Sequence, residues 1–200
     1  MSSLKDTGSP SAVVGAGSWG TALAIQLARS GRPTRLWGRA RMRLAAMARE
    51  RRNDRYLDAG AFPEALAIEP DMAATLRGAC DVLVAVPSHA FRPVLTAIAP
   101  LLAPEMRLAW ATKGFELSSG LLPHQVAREV LGPKRSVAVL SGPTFAREVG
   151  AGLPTAMTIA SSFSVSDRAG SRARRPPAIL QVRPTGATGK RAAIMSQTAR

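Results

Sequence analysis

The chain has 200 residues, enough for one domain with a real core, and 46% of them are hydrophobic, which excludes a chain disordered throughout. Its formal net charge is +14, and its single cysteine, Cys80, excludes an intrachain disulfide and favours a reducing compartment. No run of more than 18 residues is free of charge and proline, and the one that reaches 18, Ser11–Ala28, is interrupted by Gly15, Gly17 and Gly20; residues 1–8 lack the apolar core of a signal peptide, so neither a membrane span nor a secretory leader is expected.

From residue 10 to residue 160, short β-rich runs alternate with helical segments, the pattern of a parallel sheet covered on both faces. The apolar run Ser11–Val14 reads as a buried strand. It enters Gly15-x-Gly17-x-x-Gly20 and then a helix over Ser18–Ser30, with Trp19, Ala22, Leu23 and Leu27 on one face and Gly31 as its stop. This is a device for holding a pyrophosphate: Gly15 allows the turn, Gly17 lets the backbone approach the phosphates, and Gly20 lets the helix pack close to the strand. Thr34–Trp37 is a second strand, Arg39–Arg51 a charged helix, and 53–63 a loop. A short apolar run follows at Ala65–Ile68, then a short helix over Asp71–Gly78.

Asp81–Pro87 is the clearest buried strand, because its apolar residues are continuous. Pro87 ends it, and Ser88 is expected to cap a helix running to about Leu102. Arg107–Thr112 is the next strand, leaving through Lys113 and Gly114. Leu121–Leu131 is helical, and Ser136–Leu140 is a strand leaving through Ser141-Gly142-Pro143-Thr144. A helix from Phe145, which Thr144 could cap, and a last strand over Thr155–Ala160 complete the pattern.

Three strand exits carry chemistry. Dinucleotide sites that prefer NAD put an acid at the end of the second strand, yet no acid lies between Gly20 and Glu50. Arg39 stands there instead, a cation suited to a 2′-phosphate, which argues for NADPH or tolerance of it. A surface residue at a helix start is the plainer alternative. Lys113 points its ammonium at the ligand-binding edge of the sheet, to bind phosphate or polarise a carbonyl, unless it is an ordinary surface lysine. Ser141–Thr144 is either a simple connector or, at a helix start with free N–H groups, an anion site. His89, after Val86-Pro87-Ser88, is assigned no catalysis.

Taken together, Gly15–Ala24, Leu36–Arg39, Val86–His89, Ala111–Gly114, Ser141–Ala146 and Gly152–Thr155 resemble, in order, the bacterial NAD(P)-dependent glycerol-3-phosphate dehydrogenases. The resemblance covers about residues 11–161 and implies a doubly wound, mostly parallel Rossmann-type α/β fold. It implies reduction of dihydroxyacetone phosphate to sn-glycerol 3-phosphate with NADPH or NADH, for phospholipid synthesis in the cytoplasm. It also implies that Ser18, Trp19, Arg39 and Ala146 contact the dinucleotide, Gly142 and Thr144 the substrate, and Lys113 both. No residue is assigned to a metal. Related dehydrogenases acting on 3-hydroxyacyl-CoA or 6-phosphogluconate fit the Ala111–Gly114 and Ser141–Ala146 segments less well.

Full-length family members continue into a helical domain that supplies a Gly-Gly-x-x-Lys-Asn segment, with its general acid/base lysine, and a phosphate clamp. Neither pattern follows Ser162, and Lys190 lacks the flanking residues. The division expected is a lead-in over 1–10, a dinucleotide-binding domain over 11–162 and a basic tail over 163–200. The tail holds 8 Lys and Arg against one acid, Asp167. It is expected to be unstructured, and without interleaved aromatics it gives no sign of specific nucleic-acid binding. Arg outnumbers Lys 23 to 4 across the chain, which suggests GC-rich coding DNA and a frameshift near Ser162. The isolated chain is therefore expected to be inactive or nearly so. The alternatives are a non-catalytic NAD(P)H-binding fragment and a non-functional product of a broken gene. A homodimer is allowed for full-length members and not expected here.

Overall fold

A computed structural model describes residues 9–161. Its strands are β1 (Ser11–Val14), β2 (Thr34–Trp37), β3 (Leu66–Ile68), β4 (Asp81–Val84), β5 (Arg107–Trp110), β6 (Val137–Ser141) and β7 (Thr158–Ser161). Its helices are α1 (Ser18–Arg29), α2 (Arg41–Glu50), α3 (Met72–Leu76), α4 (Ser88–Ile98), α5 (Pro123–Leu131) and α6 (Ala146–Ala151). The strands form one sheet in the order β3-β2-β1-β4-β5-β6-β7, parallel except for β7, which pairs antiparallel with β6. This is the doubly wound arrangement, with the reversal of strand order between β1 and β4.

Alternation along each strand divides the core between two faces. Val13, Leu36 and Leu83 pack with α1, with Leu44 and Met47 of α2, and with Leu57 and Phe62 of the following loop. Ala12, Val14, Val82, Val84, Leu108 and Trp110 pack with Leu76 of α3, Phe91, Leu95 and Ile98 of α4, and Val126 of α5. The inner strands are therefore apolar on both sides, which explains the continuous runs in their sequence. Trp110 is 1% exposed and meets the Phe91 ring edge-on, with centroids 5.5 Å apart.

Several elements differ from the sequence expectation. The first helix buries every residue from Gly20 to Ile25, rather than one face, because α6 and the loop after α2 enclose it along with the sheet. The second helix begins at Arg41, since Gly38, Arg39 and Ala40 are used in the bend off β2, and Arg39 stands outside it. Ser88 is the first residue of α4 and does not cap it; the cap position is Pro87, whose fixed extended backbone lets the helix begin only after it. The last strand starts at Thr158 and supplies the antiparallel edge.

Nor is the sheet covered throughout among the described residues. On the α1 side, Leu83, Ala109, Ala138, Leu140 and Ile159, with Leu27 of α1, line an open groove of about 220 Å³. An unpartnered apolar face is the feature expected where a further domain would pack. The expected disordered tail lies outside the described residues.

The loop after β5 is anchored on the opposite side. Arg92 of α4 donates from Nε and Nη2 to the two Glu116 carboxylate oxygens, both at 2.8 Å, and from Nη2 to Glu129 of α5 at 2.7 Å. Ser119 Oγ donates to Glu116 at 2.6 Å. The bonds from Arg92, then from Ser119, hold the Glu116 carboxyl down to a pKa of about 2.

Two outcomes follow from this packing. Trp110→Ala is expected to cost about 3–5 kcal/mol in chemical denaturation, the range for emptying a large aromatic site; a loss below about 1 kcal/mol would mean that the two-faced core is misplaced. For Glu116, a folded pKa below the unfolded value makes its contribution complete above the ordinary carboxylate pKa and lost as pH falls towards about 2. The urea midpoints of wild type and Glu116→Gln should therefore differ at about pH 6 and converge as pH drops below about 4. A gap independent of pH would contradict the pairing.

Candidate functional site

The parallel register builds the site. Val14 lies opposite both Trp37 and Val84, Val84 opposite Trp110, and Trp110 opposite Val139. One residue further on, Gly15, Gly38, Ala85, Ala111 and Leu140 form a row along the carboxyl edge. Ladder hydrogen bonds continue into this row: the Gly15 N–H donates to Trp37 at 2.8 Å, Ala85 to Val14 at 2.8 Å and Ala111 to Val84 at 2.9 Å. Just beyond it stand the turn Gly15–Gly20, Arg39, Lys113, Gly142 and Thr144. This carboxyl edge is where open α/β sheets receive ligands.

The three turn glycines have different reasons to be glycine. At φ 126°, Gly15 is in the left-handed half of backbone space, and a Cβ on it would lie 2.8 Å from the Ala85 carbonyl carbon. A Cβ on Gly20 would lie 2.9 Å from the Gly15 carbonyl carbon, against the turn's own backbone. At Gly17 a Cβ would meet no heavy atom within 4 Å. Gly15 and Gly20 are thus required by packing, whereas the space beside Gly17 is free for a ligand to approach. No side chain caps α1, and its first turn holds no acid. The leading N–H groups, from Ser18 to Gly20, therefore remain for an anion at the positive end of the helix dipole.

Lys113 spans the gap between this turn and the exit of β6. Its Nζ donates to the Gly142 carbonyl at 3.4 Å and lies 5.9 Å from the centroid of the Trp19 ring. Thr144 lies beside Gly142: its Cγ2 is 3.5 Å from where a Gly142 Cβ would stand. Two polar atoms in this cluster, Trp19 Nε1 and Thr144 Oγ1, are buried and have no hydrogen-bond partner among the described residues. Unpaired buried polar atoms carry a desolvation cost, and a ligand that meets them removes it.

The structure thus brings Trp19, Lys113, Gly142 and Thr144 together. Arg39 follows Gly38 at the end of β2, exposed and with no ion pair among the described residues. Ala146 opens α6 and packs against the α1 core, where Arg29 donates to the Gly150 carbonyl at 2.6 Å. His89 is exposed in the first turn of α4. Thr144 does not cap α6. The backbone stays extended through Phe145, the actual cap position, so Thr144 falls one residue too early. The α6 start also carries Glu148 in its first turn, which opposes the anion site considered from sequence. Gly142 has a packing role of its own, because a Cβ there would meet the Ala156 carbonyl oxygen at 2.6 Å.

Asn53 is the site residue that sequence reading missed. Its side-chain amide is buried directly against the glycine turn. An asparagine in a polar loop is ordinary turn chemistry, so nothing in one sequence distinguishes it.

Comparison with known proteins accords with this geometry. Residues 10–166 match the family described as NAD-dependent glycerol-3-phosphate dehydrogenase N-terminus. The chain is 57% identical over 151 residues to glycerol-3-phosphate dehydrogenase [NAD(P)+] of Methylococcus capsulatus, covering 75% of this chain and 45% of that one. It is 53% identical over 150 residues to the enzyme of the same name from Edwardsiella ictaluri, covering 75% and 44%. Among solved structures, glycerol-3-phosphate dehydrogenase of Coxiella burnetii aligns with a TM-score of 0.74 at 45% identity, over 78% of this chain and 48% of that chain. The chain therefore spans less than half the length of the relatives it matches, and over that span it belongs to the NAD-dependent glycerol-3-phosphate dehydrogenase family through its N-terminal domain.

Proposed function

We propose that this chain binds NADPH or NADH at the carboxyl edge of its sheet, as the cofactor half of a glycerol-3-phosphate dehydrogenase. The observation that carries the reading is the meeting, at one edge, of an open glycine turn, a lysine and two unpaired buried polar atoms. The free space at Gly17 is what a pyrophosphate needs, and the uncapped start of α1 supplies the N–H groups to hold it. Ser18 and Trp19 would contact the dinucleotide, with Ala146 beside them. Arg39, free of ion pairs among the described residues, would meet a 2′-phosphate, so NADPH is favoured over NADH.

When bound, the reduced nicotinamide supplies a hydride to a carbonyl carbon. The substrate assigned is dihydroxyacetone phosphate, with sn-glycerol 3-phosphate as product. Lys113 would draw the substrate oxygen or phosphate towards the cofactor, with Gly142 and Thr144 as the adjoining wall. Such a reduction also needs a proton donor for the new alkoxide and a clamp on the phosphate. The reading assigns both to the part of the relatives beyond the match, so the 200-residue chain alone should bind cofactor with little or no turnover. A cytoplasmic location and a role in phospholipid synthesis go with this assignment. No specific nucleic-acid partner does, and homodimerisation is left to full-length members. The second reading, a cofactor-binding fragment without catalysis, draws on the same geometry and differs in turnover alone.

NADPH fluorescence titration, paired with an assay on dihydroxyacetone phosphate, tests the cofactor site that both readings share and the turnover that the first leaves small and the second excludes. Saturable binding without near-family turnover is expected; turnover at the family's rate would overturn the assignment of the missing groups, and absence of binding would overturn the site. Gly17→Val should weaken both nucleotides at least about tenfold while keeping the wild-type Tm, because it fills free space and not packed space. Arg39→Ala should weaken NADPH by about tenfold and spare NADH. Equal losses for the two nucleotides would remove Arg39 from the 2′-phosphate.

A further inference from the structure

The chain between α2 and β3 runs beneath the glycine turn and is fastened there. Arg51 ends α2 at φ 54°, a left-handed conformation uncommon for a residue with a side chain. Its guanidinium donates to the carbonyls of Pro63 at 2.6 Å and Leu66 at 2.8 Å, and its own carbonyl accepts from the Phe62 N–H at 2.6 Å. The loop is therefore closed on itself across its base.

That closure sets Asn53, which is 3% exposed. The Asn53 carbonyl accepts from the N–H groups of Tyr56 at 3.0 Å and Leu57 at 2.9 Å, so its backbone is also fixed. The side-chain amide reaches in two directions. Nδ2 donates to the Ala16 carbonyl at 3.2 Å and to Thr21 Oγ1 at 2.8 Å. Ala16 lies between the first two turn glycines, and Thr21, fully buried, lies in the first turn of α1. One amide thus ties the chain entering the turn to the helix leaving it. The Ala16 carbonyl can only accept, so the group facing it must be a donor, and an aspartate could not replace it.

We infer that Asn53 is a positioning residue for dinucleotide binding. It touches no ligand atom itself. It fixes residue 16 relative to residue 21, and so sets the direction of the Ser18 to Gly20 N–H groups between them. The inference rests on the cofactor reading proposed above. It predicts a loss shared by NADPH and NADH, unlike the loss expected at Arg39, because the pyrophosphate is common to both.

The test uses the 200-residue chain with Asn53→Ala, Asn53→Asp, Thr21→Val and Thr21→Ser. Thr21→Val keeps the volume and removes the acceptor at the other end of the same hydrogen bond, so it reports even if the Asn53 variants fold poorly. Kd for both nucleotides should rise on the order of tenfold in Asn53→Ala and Thr21→Val. Thr21→Ser should restore near wild-type affinity, and the losses in the Asn53→Ala/Thr21→Val double variant should be less than additive. Amide NMR signals of Gly17 and Ser18 should move in the free variant proteins. Folded variants with wild-type Kd would overturn the inference, as would unmoved Gly17 and Ser18 amides. If wild type binds neither nucleotide, the cofactor reading fails, and the amide shifts alone decide whether Asn53 positions the turn.

Discussion

Two backbones meet at the centre of this domain with nothing between them. The chain leaving β1 passes so close to the chain leaving β4 that the Ala85 carbonyl occupies the place of a side chain on Gly15, and the Gly15 carbonyl occupies the place of one on Gly20. This contact lets α1 start immediately after β1 and lie down on the sheet, where Ala22, Ala24 and Ile25 are fully buried. It also stacks β1 and β4 in register, with the Ala85 N–H bonded to Val14. The alignment of the carboxyl edge follows from it, and every candidate ligand contact is measured from that edge.

A second layer of contacts holds the edge in shape. Lys113 bridges the Trp19 ring and the Gly142 carbonyl. The loop that follows Lys113 is tied by Glu116 to Arg92, and through Arg92 to Glu129. Asn53 holds the turn from below. The unsatisfied atoms are confined to few places. Of the three buried side-chain atoms without partners among the described residues, two, Trp19 Nε1 and Thr144 Oγ1, lie in this cluster. Elsewhere in the core, polar side chains such as Thr75 and Thr112 find backbone acceptors. Polar atoms left unpaired where the sheet opens fit a surface shaped for a ligand better than a defect of packing.

Much of this was legible in the sequence where one physical effect dominates. Thr34–Trp37 was readable as a strand to its ends, and the run Asp81–Pro87 as a buried central strand, because burial on both faces leaves a continuous apolar run, although the strand itself ends at Val84. The glycine turn was readable because its steric demands are local. The starts of α2, α4 and α6 were less so. Gly38–Ala40, Pro87 and Phe145 are spent on leaving a strand, and that length depends on tertiary geometry. Thr144 shows the cost of a one-residue error: as a cap it would be satisfied by the helix, and one position earlier its hydroxyl is left unpaired. Asn53 was invisible for a different reason. Its partners, Ala16 and Thr21, are more than thirty residues away, and neither type signals a contact. The strands that line the open groove over β4–β7 were separately readable, whereas the groove itself depends on how the helices cover the assembled sheet.

The central claim is that a single edge, defined by the Gly15–Ala85 contact, gathers the cofactor turn, Lys113 and the Gly142–Thr144 wall into one ligand surface. Titrating NADPH into the isotope-labelled 200-residue chain, and mapping which backbone amides shift, tests this most directly. Saturable shifts concentrated at residues 15–20, 113–114 and 142–146 are the expected result. Saturable shifts confined to the groove over β4–β7, or no saturable shift at all, would contradict it.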